Sequence, residues 1–267
     1  MSDCKSAEHK ILPVLGVPVS VLNMNSALDT IARWIDEKSV HYVCAADVHS
    51  IMRAQDDTAH KFALRQADLV LPDGMPVTWI GKLRGEKAIE RVCGPDLMLR
   101  VFERSAEKGW RHYFYGGAEG VADLLTRRAI ERYPNLTVVG TDCPPFRPLS
   151  QAEIGEAIAR INSAAPDIIW VGLGCPKQER WMLENVTKLN HAVLIGVGAA
   201  FDFHSGNVRR APVWMRSSGL EWLHRLLCEP RRLWRRYLSL APRFVFLNVV
   251  AAFEALRFRH PTEGAPQ

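Results

Sequence analysis

The chain has 267 residues, 48% of them hydrophobic and 24% charged, with a net charge of +5. Such a composition fits a globular α/β fold with a large core. No apolar run reaches the roughly 18 residues of a membrane span, no signal-peptide core follows the polar start, and six scattered cysteines lack any C-x-x-C pair. These features exclude a bilayer-spanning chain, a disulfide framework and a cysteine zinc site, and they lead us to expect a cytoplasmic protein with reduced thiols.

Residues 11–20 (ILPVLGVPVS) predict a first strand, whose two prolines suit only a sheet edge. Residues 26–38 then place Leu28, Ile31 and Ile35 on one helical face. Compact apolar runs at 41–46, 68–72, 111–116, 136–140, 167–174 and 191–198 read as strands buried on both faces of a parallel sheet. Between them, residues 95–109 start on a proline and end on a glycine, and residues 150–163 open with a Ser150/Glu153 capping box. Strand–helix alternation of this regularity predicts a Rossmann-like, doubly wound, mostly parallel sheet. Strand signals stop near Val208, which predicts an α/β catalytic domain over residues 1–208 and a helical appendage over 209–267.

Three strand ends are glycine-rich: Gly116 and Gly117, Gly172 and Gly174, and Gly198. Glycine there lets backbone N–H groups approach a phosphate, although a tight βα turn needs it equally. Asp73 follows an apolar run directly, between Pro72 and Gly74. At the tip of a central strand it is placed to act as a general base; as part of an ordinary P-D-G turn it caps its own backbone. Arg91 precedes a G-P-D helix start and offers a planar fork for phosphate, unless it is simply a surface arginine. Gln178, just inside a helix after a glycine turn, suits a sugar hydroxyl or a solvated first turn. His204 reads as a structural loop histidine. No D-x-D, H-E-x-x-H, G-x-S-x-G or G-K-[ST] occurs, so neither a metal nor a cofactor is expected.

Charge is unevenly spread. Residues 209–260 hold eleven arginines and three acids, a local +8, which leaves the rest at −3. The arginines interleave with Trp214, Trp222, Trp234 and Tyr237, a mixture suited to an anionic lipid headgroup layer. A solvated cationic helix pair and a nucleic-acid surface are the other readings; the apolar content near residues 244–253 favours the membrane and no nucleic acid.

Taken in order, LPDGMPVTW, RVCGPDLM, YFYGGAEG, VGLGCPKQE, GAAFDFHSGNVRRAP and GLEWLHRLLCEPRRLWRRY resemble the WecG/TagA/CpsF family of bacterial glycosyltransferases, glycosyltransferase family 26, over roughly residues 14–237. The resemblance implies an inverting, metal-independent transfer from a UDP-sugar to a polyprenyl-diphosphate-linked saccharide in cell-surface polysaccharide synthesis. It places the general base on Asp73, the donor-site arginine on Arg91 and the box glutamine on Gln178. Its membrane-docking appendage, peripheral on the inner membrane face, falls on the basic tail, with Arg210, Arg225 and Arg232 as arginines reaching the site. One departure stands out. Where members carry T-x-N, this chain reads Ala45, Ala46 and Asp47, so sugar specificity does not transfer, and Asp47 offers a second carboxylate able to share the base role or raise the pKa of Asp73. The implied partners are the donor, the lipid-linked acceptor and an anionic membrane surface, with a homo-oligomer left open. Two rivals from other classes are an NAD-dependent oxidoreductase, which should show a complete G-x-G-x-x-G fingerprint, and a non-catalytic membrane-surface protein, which would leave the P-D-G and K-Q-E loops unexplained.

Overall fold

Every strand of the main sheet comes from one of the six apolar runs. A computed structural model describes residues 9–257, with the side chains of residues 232, 235–237 and 255–257 outside that description. In chain order the elements are β1 (Ile11–Val14), β2 (Val17–Ser20), α1 (Met24–Asp36), β3 (Val40–Ala46), α2 (Val48–Asp56), α3 (Thr58–Gln66), β4 (Leu69–Pro72) and α4 (Met75–Leu83). There follow α5 (Gly94–Lys108), β5 (Arg111–Gly116), α6 (Val121–Arg132), β6 (Thr137–Asp142), α7 (Gln151–Ala164), β7 (Ile168–Gly172), α8 (Lys177–Asn185), β8 (Ala192–Gly196) and α9 (Ala200–Ser205). The chain then turns purely helical, with α10 (Val213–Ser217), α11 (Glu221–Cys228) and α12 (Pro230–Arg257).

The sheet is wholly parallel, in the order β4-β3-β8-β7-β5-β6. Of its inner strands β8 is buried end to end and β5 and β7 at all but one terminal residue, because helices cover both faces, and apolar clusters fill the two layers on either side. The expected Rossmann-like, doubly wound arrangement is therefore present. Helix ends follow local chemistry: the Ser150/Glu153 capping box is formed, and Gly109 closes α5 in the left-handed conformation.

Two expectations about strands change. Residues 11–20 do not add a strand to the main sheet; they form a separate two-stranded antiparallel hairpin, with Pro13 opposite Pro18 and a turn at Leu15 and Gly16, both at positive φ. Proline is tolerated because this ribbon has only one neighbour to satisfy. The strand that carries Asp73 is also not central: β4 is an edge strand of the sheet. It is nevertheless buried, since β2 lies against it and the Ser20 hydroxyl accepts from the Val70 N–H at 3.2 Å, which covers an otherwise open edge.

Beyond residue 208 only Ala211, in the segment before α10, and Leu233 and Phe244, on α12, are buried apolar residues among those described. Phe244 joins the core layer of α2, and Arg243 pairs both guanidinium nitrogens with Asp56 at 2.6 and 2.7 Å. No helix among the described residues is long and apolar enough to cross a membrane.

Candidate active site

Parallel pairing aligns the carboxyl ends of the strands along one rim: Ala46 with Pro72, Gly116 with Gly172, and Val171 with Gly196. Asp73 leaves β4 at this rim. Its N–H donates to the Ala46 carbonyl at 3.2 Å, and the preceding Pro72 carbonyl accepts from the Val92 N–H at 3.0 Å. These two bonds set Asp73 between Asp47, the residue after Ala46, and Arg91, the residue before Val92. Gly74, at φ +97°, makes the sharp turn into α4 that a side chain would resist.

The P-D-G segment is not an aspartate cap: no side chain caps α4, and the half-buried Asp73 carboxylate accepts no hydrogen bond among the described residues. Burial pushes its pKa up to about 7, with the charges of Asp47 and Glu221 adding to the rise and those of Arg91 and Arg225 opposing it. A carboxyl poised near neutrality at a strand tip is suited to accept a proton. Asp47 has a second occupation, as the N-cap of α2, accepting from the Ser50 N–H at 2.7 Å.

Arg91 and the tail meet beside this carboxyl. Arg91 reaches Glu221 Oε2 at 2.5 Å and lies 3.8 Å from Asp96; Arg210 grips Asp96 at 2.5 and 2.9 Å and Glu221 Oε1 at 3.2 Å; Arg216 adds Asp96 at 3.2 Å. Burial opposes the charge of Asp96, yet hydrogen bonds from Arg210 and the Cys93 thiol hold it down at about 2. Three arginines thus face two carboxylates. Arg225 adds a cation that makes no ion pair among the described residues; its guanidinium lies 5.5 Å from the Phe203 ring centre. The turn before α11 packs on the helix after Asp73, for a Cβ on Gly219 would meet Met75 at 3.0 Å. Arg225 is thus near enough to Asp73 to act on its charge, and Arg210 meets Arg91 through their shared Glu221. The Arg232 side chain lies outside the described residues.

The glycines divide by what surrounds them. Gly116 and Gly172 face each other so closely that a Cβ on Gly116 would stand 2.7 Å from the Gly172 backbone, and one on Gly172 would strike Phe201 at 2.8 Å. Gly117 is likewise close to Phe201 and Val121. Strand packing accounts for these three. Gly174 is different: at φ +76° it fronts open space, with no atom within 4 Å of where a Cβ would stand. Gly198 belongs with Gln178, which is buried rather than in a solvated first turn: its Oε1 accepts from the Gly198 N–H at 3.1 Å and its Nε2 donates to Glu179 at 3.0 Å. The glutamine thus fixes the loop after β8.

The sequence singles out Glu179 beside Gln178 but gives no sign that His60 and Cys175 lie next to it. His60, Cys175 and Glu179 bring ligand-type atoms within 4.8 Å of one another, with His60 Nδ1 and Glu179 Oε2 3.8 Å apart and neither hydrogen-bonded. Burial pushes the Glu179 carboxyl up to about 7 and the His60 imidazole below its usual range, so charge is disfavoured on both. A near-neutral pair is a poor anionic cage for a divalent cation and a good strut between α3 and α8. His204 Nε2–H donates to the Pro95 carbonyl at 2.9 Å, a structural role. The signals for α2 and α3, Asp47 and Asp57 as N-caps, were present in the sequence.

Comparison with known proteins follows the same outline. The model of the glycosyl transferase WecG/TagA/CpsF family matches residues 12–258. The chain is 32% identical over 212 residues to an N-acetylglucosaminyldiphosphoundecaprenol N-acetyl-beta-D-mannosaminyltransferase of Bacillus spizizenii, covering 79% of this chain and 80% of the relative. It is 30% identical over 225 residues to the protein of the same name from Bacillus subtilis, covering 84% and 86%.

Proposed function

The chain belongs to the WecG/TagA/CpsF family of glycosyltransferases, and from that premise we propose that it transfers a sugar, with inversion, from a UDP-sugar to a polyprenyl-diphosphate-linked N-acetylglucosamine at the membrane surface. The acceptor class is that named for its Bacillus relatives. One observation carries the reading: an unbonded carboxyl with a pKa near 7, Asp73, lies beside a cluster in which arginines outnumber carboxylates.

Each part has a task. Asp73 accepts the proton of the acceptor hydroxyl as its oxygen attacks the anomeric carbon from the face opposite the leaving diphosphate. The C–O bond to the diphosphate breaks as the new one forms, and Arg91, Arg210 and Arg225 stabilise the departing UDP without a metal. Open space at Gly174 accommodates the nucleotide side, along a rim whose Gly198 loop Gln178 holds in place. Residues 1–208 serve as the catalytic unit and residues 209–267 as an appendage that docks on the membrane. Trp214 (62% exposed), Phe246 (66%) and Phe253 (68%) supply its apolar anchors.

The test offers a panel of UDP-sugars, beginning with UDP-N-acetylmannosamine, with a short-chain lipid-diphosphate N-acetylglucosamine, and scores UDP release. Asp73→Asn should lower turnover by roughly 10²- to 10⁴-fold while UDP affinity stays unchanged. Near-normal turnover in that variant would remove Asp73 as the base.

A further inference from the structure

Glu221 is the acid that sequence reading merely counted within the basic tail. It is the first residue of α11, and its two carboxylate oxygens are divided between two regions. Oε2 takes Arg91, from the segment hydrogen-bonded to β4, and Oε1 takes Arg210, from the chain leading into the tail. Resting on the glycosyl-transfer reading above, we propose that Glu221 is a positioning residue: it holds the Arg91 guanidinium in place beside Asp73, and it does so only when the tail is docked.

The argument turns on what Arg91 would do otherwise. Its side chain is largely buried, at 17% exposure, and the other carboxylates near it are Asp96, at 3.8 Å, and Asp73 itself. Asp96 is already committed to Arg210 and Arg216. A freed guanidinium in a half-buried site seeks an anion, since an unpaired buried charge is costly. Pairing with Asp73 would tie up the base and the cation together. Glu221 prevents this by holding Arg91 from the other side, and Arg210 locks Glu221 in turn through its bonds to Asp96. The charged groups facing Asp73 are Asp47, Arg91, Glu221 and Arg225, so changing Glu221 also changes the field at the base. A mere surface staple would lack that second effect.

The experiment compares Glu221→Gln and Glu221→Asp with wild type in the full chain. It measures kcat and KM for the donor that supports UDP release, the acid limb of the pH profile, and UDP binding by calorimetry. Glu221→Gln should lower kcat by roughly 10²-fold, the scale of a small misplacement in a catalytic site. It should also move the acid limb to lower pH, because Asp73 loses a like charge and gains Arg91 as a partner. Glu221→Asp, which keeps the charge, should recover part of both. Unchanged kinetics and pH profile in Glu221→Gln would overturn the proposal. Tighter UDP binding with faster turnover would overturn it too, since Glu221 would then be an internal anion occupying the diphosphate's place. If Glu221→Gln does not fold, judged by circular dichroism, Glu221→Asp decides by the same kcat and pH readings. Wild-type turnover in Asp73→Asn sinks the reading of the reaction itself; an inactive Asp73→Asn beside a normal Glu221→Gln sinks this inference alone.

Discussion

The body and the C-terminal helices are held by different forces. In the body, six parallel strands and two apolar layers bury side chains such as Trp170, Phe114 and Ile195 completely. Beyond residue 208 the described residues bury three apolar side chains and lean on ion pairs instead: Arg210 and Arg216 on Asp96, Glu221 on Arg91, and Arg243 on Asp56. Apolar burial is not screened by salt and sets the fold, whereas ion pairs weaken with salt, most at the exposed Arg243–Asp56 pair and less at the partly buried Glu221 cluster. The proposed base, Asp73, therefore sits in the region held by apolar burial, and much of its cationic surroundings in the region held by ion pairs.

The largest effect should come from separating the two. Truncation after Val208 should leave a cooperatively melting body, followed by circular dichroism, while turnover falls by about 10²-fold or more, the loss expected when charge-stabilising donors leave a site. A truncated chain that kept its turnover would break the comparison, because the tail's arginines would then be dispensable. A smaller effect is expected at the seam. Phe244→Ala should make α12 cleavable by trypsin at low salt while the melting temperature of the body shifts little. Trp170→Ala, by contrast, should cost the whole fold about 3–5 kcal/mol, the scale for a large aromatic removed from a core.

How much of this was legible beforehand follows the same division. Strands β3 to β8 were visible because an all-buried parallel strand must be a short apolar run, and the caps of α5 and α7 because they are local chemistry. Strand order is not local, so nothing in LVLP showed that it would lie at an edge under the β1–β2 hairpin. The glycines were legible as backbone requirements, but Gly116 and Gly172 turn out to serve each other and Phe201, a long-range packing fact with no sequence signature. Asp73 was found because its position after a strand is a local statement. Glu221 was not, since its meaning lies in Arg91, 130 residues away.

The smallest predicted effect is also the most discriminating, because it separates burial from charge as the cause of the raised Asp73 pKa. A base must be ionised to act, so turnover should rise with pH through about 7 and level above it. Asp47→Asn removes one like charge but leaves the burial, which is the larger cause, so the limb should move down by roughly half to one pH unit and remain above the ordinary carboxyl range. The opposite sign governs stability. With its folded pKa raised above the ordinary 3.8, Asp73 contributes stability that is complete below that value and is lost as pH rises towards about 7. Asp73→Asn should therefore melt higher than wild type at pH 8 and no higher at pH 3.5, measured by scanning calorimetry. An Asp47→Asn limb that fell all the way to the ordinary range would assign the shift to the neighbouring charge. The buried edge of the sheet would then be contributing geometry alone to the proposed base.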